Sequence, residues 1–316
     1  MQRREFLQKT AMASVLGAAA TATPRAQPTS AASAQGASAA AKRFKLKYAP
    51  HFGMFKEHAG EDLLDQIRFM ADEGFTAFED NGMMGRPVEV QQQIGDLLAK
   101  LGMTMGVFVI QTGGNNSDRF TPGKPENREL FVKACEAAVP VAQRVHARWM
   151  TVVPGAFERR LPIGIQTGNV IDTLRAGAEV LEKHNLTMVL EPLSDNPDQF
   201  LRTSDQTYMI CRGVNSPACK ILFDIYHMQR NEGHVIPHID WAWDEIAYFQ
   251  IGDNPGRKEP TTGELNYRNI FKHVHGKMQA TGRDFVFGME HGNAHPGKDG
   301  ERRLIEAYVE SDAFDA

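Results

Sequence analysis

Lys220-Ile-Leu-Phe-Asp224-Ile-Tyr-His227 is an apolar run that stops at a carboxylate, with an imidazole three residues further on. Read as a buried strand, it delivers Asp224 to the strand's C-terminal tip, the place where α/β folds build their sites. The pattern recurs in Val189-Leu-Glu191-Pro, in Tyr248-Phe-Gln250-Ile and in Phe287-Gly-Met-Glu290-His. Each run ends in a side chain that offers an oxygen or an amide. Four such tips in one chain suggest a metal centre in the mouth of a barrel.

The rest of the chain has the matching rhythm. Leu46–Ala49, Phe75–Phe78, Met105–Ile110 and Trp149–Val153 read as strands. The segments between them carry apolar residues at helical spacing, as in Leu63, Leu64, Ile67, Met70 and Ala71, or Val90, Ile94, Leu97, Leu98 and Leu101. Gly74 and Gly102 close those two helices. Val170–Lys183, Ser204–Arg212, Val235–Trp243, Asn266–Met278 and a final stretch around Leu304–Tyr308 continue the helical series. The strands are continuous apolar runs rather than alternating ones, as expected where both faces are covered. Eight strand and helix units in about 270 residues come close to the roughly 250 of a (β/α)8 TIM barrel. The competing doubly wound sheet opens with a glycine-rich phosphate turn. Here the first strand leads into His51-Phe-Gly-Met-Phe-Lys56, which is not that turn, and a Gly113-Gly114-Asn115-Asn116 loop follows only the third.

Composition narrows the function. The chain has 316 residues, 42% of them hydrophobic, enough for a large core. A formal net charge of −4 and the lack of a basic stripe argue against a nucleic-acid partner. No apolar run reaches the roughly 18 residues of a stable membrane anchor. Three cysteines, Cys135, Cys211 and Cys219, form no zinc-ribbon spacing, and their odd number argues against a disulfide framework. The first 26 residues, with Arg3-Arg4-Glu-Phe-Leu followed by a weakly apolar Ala-rich segment, resemble a twin-arginine (Tat) export signal, which implies a periplasmic address. Residues 27–42 have the composition of a disordered linker, and 43–316 are read as the barrel.

At the barrel's rim, strands five to eight present Glu191, Asp224, Gln250 and Glu290. Singly, each carboxylate would be read as a helix cap and Gln250 as a buried amide. Together they are three acids at one depth, and burying three acids without a cation is costly. An all-oxygen shell suits a divalent metal such as Mg2+ or Mn2+, with Co2+ also compatible. Two glutamates flanking a substrate carbon can take a proton on one side and return it elsewhere, while the metal polarises a carbonyl. His51 and Asp80, on the rims of strands one and two, are candidates to line the pocket. His234, His238, His273 and His275 read as helix or surface residues.

Three stretches carry a family resemblance. They are Asp224-Ile-Tyr-His-Met-Gln-Arg230-Asn-Glu-Gly233, Phe249-Gln-Ile-Gly-Asp-Asn-Pro-Gly-Arg257-Lys-Glu-Pro260 and Thr262-Gly-Glu264-Leu-Asn-Tyr267. With Glu191-Pro192 and Glu290 they resemble hydroxypyruvate isomerase, within the xylose-isomerase-like barrels that also include ketose 3-epimerases. The resemblance implies that Glu191 and Glu290 transfer the proton and bind metal. It implies that Asp224 and Gln250 complete the metal shell, and that His227 and Arg257 hold substrate oxygens. The epimerases carry a histidine where Gln250 stands, so the glutamine sides with the isomerase. The implied reaction interconverts hydroxypyruvate and tartronate semialdehyde, or a similar short 2-keto acid, through an enediolate. Barrels of this group commonly pair, which implies a homo-oligomer. An export leader and the unmatched segments Phe78–Gly85 and His291–Asn293 depart from the isomerase pattern. They keep two alternatives open: a ketose 3-epimerase or keto-sugar lyase using the same site, and a periplasmic sugar-binding barrel without catalysis.

Overall fold

The computed structural model describes residues 43–110 and 119–315. The export-like leader, the linker and the Gly113–Asn116 loop lie outside the described residues. From Phe44 onward the chain alternates parallel strands with helices: β1 Lys47–Ala49, α1 Lys56–Ala59, α2 Leu63–Asp72, β2 Ala77–Phe78, α3 Val88–Leu101, β3 Thr104–Met105 and β4 Phe108–Val109. Then come α4 Pro125–Val145, β5 Trp149–Val152, α5 Ile163–Leu181, β6 Thr187–Leu190, α6 Ser204–Val214, β7 Cys219–Asp224 and α7 Ile225–Asn231. The series ends with α8 Val235–Ala242, β8 Ile246–Gln250, α9 Tyr267–Thr281, β9 Val286–Gly288 and α10 Gly297–Asp312.

The third expected strand, Met105–Ile110, is divided into β3 and β4 by Gly106-Val107. β3 pairs with β2, and β4 with β5. β1-β9-β8-β7-β6-β5-β4 form one seven-stranded parallel sheet. Backbone bonds beyond the regular ladders continue the circle: Glu79 N donates to Pro50 O at 3.1 Å, linking the first strand to the second. Asp80 N to Val107 O and Val109 N to Asn81 O carry the second strand across the break. The TIM barrel expected from the sequence is the fold observed.

Sequence chemistry accounts for the helix boundaries. Asp62 caps α2 by accepting from Leu64 N and Asp65 N. α4 starts at Pro125, earlier than its apolar spacing suggested, because proline suits the first helical turn, where its missing N–H costs nothing. α1 and α7 are short and were not foreseen. α7 follows β7 with no loop at all, because Asp224 is both strand tip and helix cap.

The interior separates into two layers of apolar packing. The larger lies between strands and helices. The smaller gathers Ala49, Ala77, Val107, Trp149, Val189, Leu222, Tyr248 and Val286 with Ala247, so that β1, β2, β5 to β9 and the break between β3 and β4 all contribute. This is the plug of the barrel. Ala247 is an extra residue: Ile221 pairs with Ile246 but Leu222 with Tyr248, a bulge between β7 and β8. Strand side chains alternate, so the residue two places beyond each plug residue lies on the same side. Those positions include His51, Glu79, Glu191, Asp224 and Gln250. One parity therefore sets an apolar floor and, directly above it, a polar layer.

Candidate active site

Asp224 and Gln250 are direct register partners at the ends of β7 and β8, and both are fully buried. Asp224 meets the bland and the functional reading at once. Its Oδ1 accepts from Tyr226 N at 2.7 Å and His227 N at 3.3 Å, capping α7. Its Oδ2 faces the site, 3.4 Å from Arg257 Nη2 and 3.6 Å from His227 Nε2. Glu191 follows β6 and is buried, with Oε1 3.7 Å from His227 Nε2. Glu290 follows β9 and is partly exposed. Its Oε1 accepts from Asn81 Nδ2 at 3.0 Å, and its Oε2 from Arg257 Nη2 at 2.8 Å.

Among the described residues, Glu191, Asp224, His227 and Glu290 are the group whose ligand atoms, all within 4.8 Å of one another, could hold a metal ion. His234 and His238 touch ring to ring, and His273 bonds Asp240, so neither pair joins that group. Gln250 supplies a second indication. Its side chain is completely buried and meets no partner in good hydrogen-bond geometry, although the amide lies close enough to Glu79 to pull that carboxyl's pKa down. Buried amides are ordinarily satisfied. An amide oxygen beside three carboxylates fits a hard divalent ion, which would give it the partner it lacks. The donor set therefore fits the metal expected from the sequence.

Ser194 holds the His227 ring by Nδ1, with its backbone N–H at 3.2 Å and its Oγ at 2.7 Å. Burial pushes the imidazole below its ordinary pKa against the opposing pull of Asp224, which favours the neutral form. Nε2 lies 3.1 Å from Arg257 Nη2 and within 3.8 Å of Glu191, Asp195 and Asp224, so it borders the space that a substrate oxygen or an ion would occupy.

The carboxylates are tuned by one another. Burial, then the charges of Glu290 and Asp224, hold Glu191 well above the usual carboxylate range. Burial and Asp224 push Glu290 up to about 7, with Arg257 pulling the other way. Arg257 sits on the loop after β8 with left-handed backbone (φ 50°). The loop is fastened by Asp253, which accepts from the backbone N–H groups of Asn254, Gly263 and Leu265.

Sequence reasoning missed Glu79. It is 1% exposed, accepts from the Tyr248 hydroxyl at 2.9 Å, and lies inside the barrel beneath Glu290 and Gln250. Burial and then the charge of Glu290 hold its carboxyl well above its ordinary pKa. The signal was present: Glu79 follows the plug residue Ala77 by two, as Glu191 follows Val189. Asn81, Asp195 and Arg230 were also missed. His51 and Asp80 do line a cavity of about 280 Å³ that reaches Glu290, together with Phe52, Asn81 and Arg86. Arg86 pairs with Asp80 there and stacks over the Phe52 ring at 4.7 Å.

The fold and site define a parallel (β/α)8 barrel with a metal-competent, acid-rich rim. Residues 67–308 match the model of the xylose isomerase-like TIM barrel, and the chain belongs to that family. It is 33% identical over 155 residues to hydroxypyruvate isomerase of Escherichia coli (strain K12), covering 47% of this chain and 58% of that one. The chain thus matches little more than half the length of that relative. It is 28% identical over 249 residues to 2-oxo-tetronate isomerase of Cupriavidus necator, covering 75% of this chain and 89% of that one. In three dimensions it is similar to 3-keto-D-glucoside 4-epimerase from E. coli, with a TM-score of 0.68, 20% identity, and coverage of 84% and 100%, a likeness of fold. The sequence relatives support reading the chain as an isomerase.

Proposed function

We propose that this protein is a metal-dependent isomerase of short 2-keto acids, hydroxypyruvate or a close homologue, working through Glu191 and Glu290. The observation that carries the reading is the cluster of Glu191, Asp224, His227 and Glu290, with the buried Gln250 amide on the strand tip that pairs with Asp224. Glu191, Asp224, Gln250 and Glu290 would hold Mg2+ or Mn2+, with Co2+ a third candidate. When bound, the metal polarises the substrate carbonyl and offsets the negative charge that develops on its oxygen.

The residues supply the rest. One glutamate removes a proton from the hydroxymethyl carbon of the keto acid, a proton returns to the neighbouring carbon, and the hydroxyl proton passes to the former carbonyl oxygen, so the carbonyl moves by one position. Glu290, pushed up to about 7, and Glu191, held well above the usual carboxylate range, are both raised toward the pH at which one carboxyl can act as base and another as acid. His227 Nε2 and the Arg257 guanidinium point at the space between the carboxylates and would hold substrate oxygens. A guanidinium's planar fork matches a carboxylate. The leader resemblance supports export, with the enzyme acting in the periplasm.

The test is an assay for tartronate semialdehyde formed from hydroxypyruvate by the metal-loaded protein, run beside 2-oxo-tetronate and a panel of keto-sugars. Turnover confined to keto-sugars would replace this reading with the epimerase alternative. No turnover of any substrate, with metal shown to be bound, would leave the sugar-binding barrel.

A further inference from the structure

Asp195 stands on the loop after β6, about half exposed, and the proton transfer has no use for it. Its two oxygens are nonetheless divided between two arginines. Oδ1 accepts from Arg230 Nη1 at 3.0 Å, and Oδ2 from Arg257 Nη1 at 3.3 Å. Oδ2 also lies 3.8 Å from His227 Nε2. Both guanidinium groups rest on the Tyr226 ring, Arg257 at 4.9 Å and Arg230 at 5.3 Å from its centre. Arg230 Nη1 donates to the Tyr226 hydroxyl as well, at 3.1 Å.

The placement follows from local structure. α7 begins at the Asp224 cap, so Tyr226 and His227 fall in its first turn and Arg230 one turn later. Arg257 arrives from the opposite side on the loop fastened by Asp253. Two cations thus converge on one carboxylate at the rim of the metal-competent cluster, with an aromatic ring fixing the plane of each. An isolated surface ion pair would carry little energy. Two guanidinium groups sharing one carboxylate beside a catalytic cluster make a recognition geometry instead.

We propose that Arg230 and Arg257 form a two-armed clamp for the carboxylate of the substrate, and that Asp195 is an internal stand-in which the substrate displaces. The inference rests on the keto-acid reading and deepens it by naming the group recognised. The distances set the substrate's length. The clamped carboxylate lies within 3.8 Å of His227 Nε2, which itself lies 3.6 Å from Asp224 and 3.7 Å from Glu191. A carbonyl one bond away from that carboxylate falls at the cluster, which is the layout of a 2-keto acid. A neutral keto-sugar has no charge with which to displace Asp195. The exposure of Asp195 lets it turn to solvent when displaced.

The experiment uses the metal-loaded full chain, with hydroxypyruvate for turnover and two unreactive or neutral probes, D-glycerate and dihydroxyacetone, for calorimetric binding. Asp195→Asn removes the competing anion, so KM for hydroxypyruvate and the dissociation constant of glycerate both fall several-fold while kcat holds. Arg230→Gln raises both about tenfold, the scale of one charge-assisted hydrogen bond. Arg230→Lys recovers part of that loss, which separates clamp from fold. Dihydroxyacetone binding is unchanged in all three variants. Asp195→Asn weakening glycerate, or Arg230→Gln leaving it untouched, overturns the clamp. Glycerate following the expected pattern in a protein that does not turn over hydroxypyruvate overturns the isomerase reading and leaves the clamp standing.

Discussion

The Tyr248 hydroxyl donates to the Glu79 carboxylate at 2.9 Å, and both side chains are shut inside the barrel beneath the candidate active site. Two glycines make room for the pair. A Cβ on Gly288 would land 2.0 Å from Glu79 Oε2, and one on Gly106 would land 2.3 Å from the Tyr248 hydroxyl. The barrel thus keeps a polar pair at the boundary between its apolar plug and its acid rim. Tyr248→Phe removes the donor and leaves a buried carboxyl short of a partner, at a cost of about 1–3 kcal/mol. Gly288→Ala forces overpacking and costs about 1–3 kcal/mol. Urea denaturation measures both, and a Tyr248→Phe variant as stable as the parent would show that the pair contributes nothing.

Gln250 separates stability from metal affinity. Its amide meets no partner in good hydrogen-bond geometry, and its one polar neighbour in the fold is the Glu79 carboxyl, whose pKa it pulls down. Gln250→Leu is therefore expected to lower the unfolding free energy by no more than about 1 kcal/mol. The same change should weaken Mn2+ binding by about tenfold or more, since a ligand is lost. Titration of the metal into both proteins decides it. A destabilised variant with unchanged Mn2+ affinity would make Gln250 a structural amide.

Much of this site was legible in the chain, and the reason is geometric. A buried parallel strand announces itself as an apolar run, and its next polar residue sits at the tip, so Glu191, Asp224, Gln250 and Glu290 could be read off directly. What stayed hidden depended on contacts across the barrel. Glu79 ends a strand of only two residues, and its burial is set by glycines on other strands. Asp195 and Arg230 are unremarkable surface residues until β6 and α7 bring them to Arg257. The hold of Ser194 on the His227 ring is a contact that no spacing rule exposes. The break in the third strand was equally invisible, because Gly106 interrupts an otherwise apolar stretch without a turn residue beside it.

Metal binding should release protons. A metal ligand must be ionised, and the Glu290 carboxyl is half-protonated near pH 7 with Glu191 also raised. Affinity for Mg2+ or Mn2+ therefore climbs with pH through about 7. Calorimetry at pH 6 in buffers of different ionisation enthalpy would report the released protons. The linkage sign for the metal-free fold follows from the raised value. Glu290 contributes stability that is fully present below its unfolded pKa, about 4.5, and is lost as pH rises through about 7. Relative to a Glu290→Gln variant, the metal-free parent should lose thermal midpoint across that window. A parent that gains on the variant instead would place the Glu290 carboxyl in the ordinary range.

Glu191 and Glu290 are assigned the proton transfer, and their neutral isosteres test that without disturbing shape. Glu191→Gln and Glu290→Gln should each lower kcat for hydroxypyruvate by on the order of 10²–10⁴, the range of a lost general acid or base. Both keep an oxygen toward the ion, so metal binding falls less than turnover. In D2O the parent should place deuterium on the carbon that receives the proton, because a carboxyl at the partly exposed Glu290 exchanges with solvent. Product free of deuterium under slow turnover would mean that hydrogen moves directly between the two carbons, and the glutamates would then be metal ligands alone. Loss of deuterium incorporation in only one of the two variants would identify which glutamate delivers the proton.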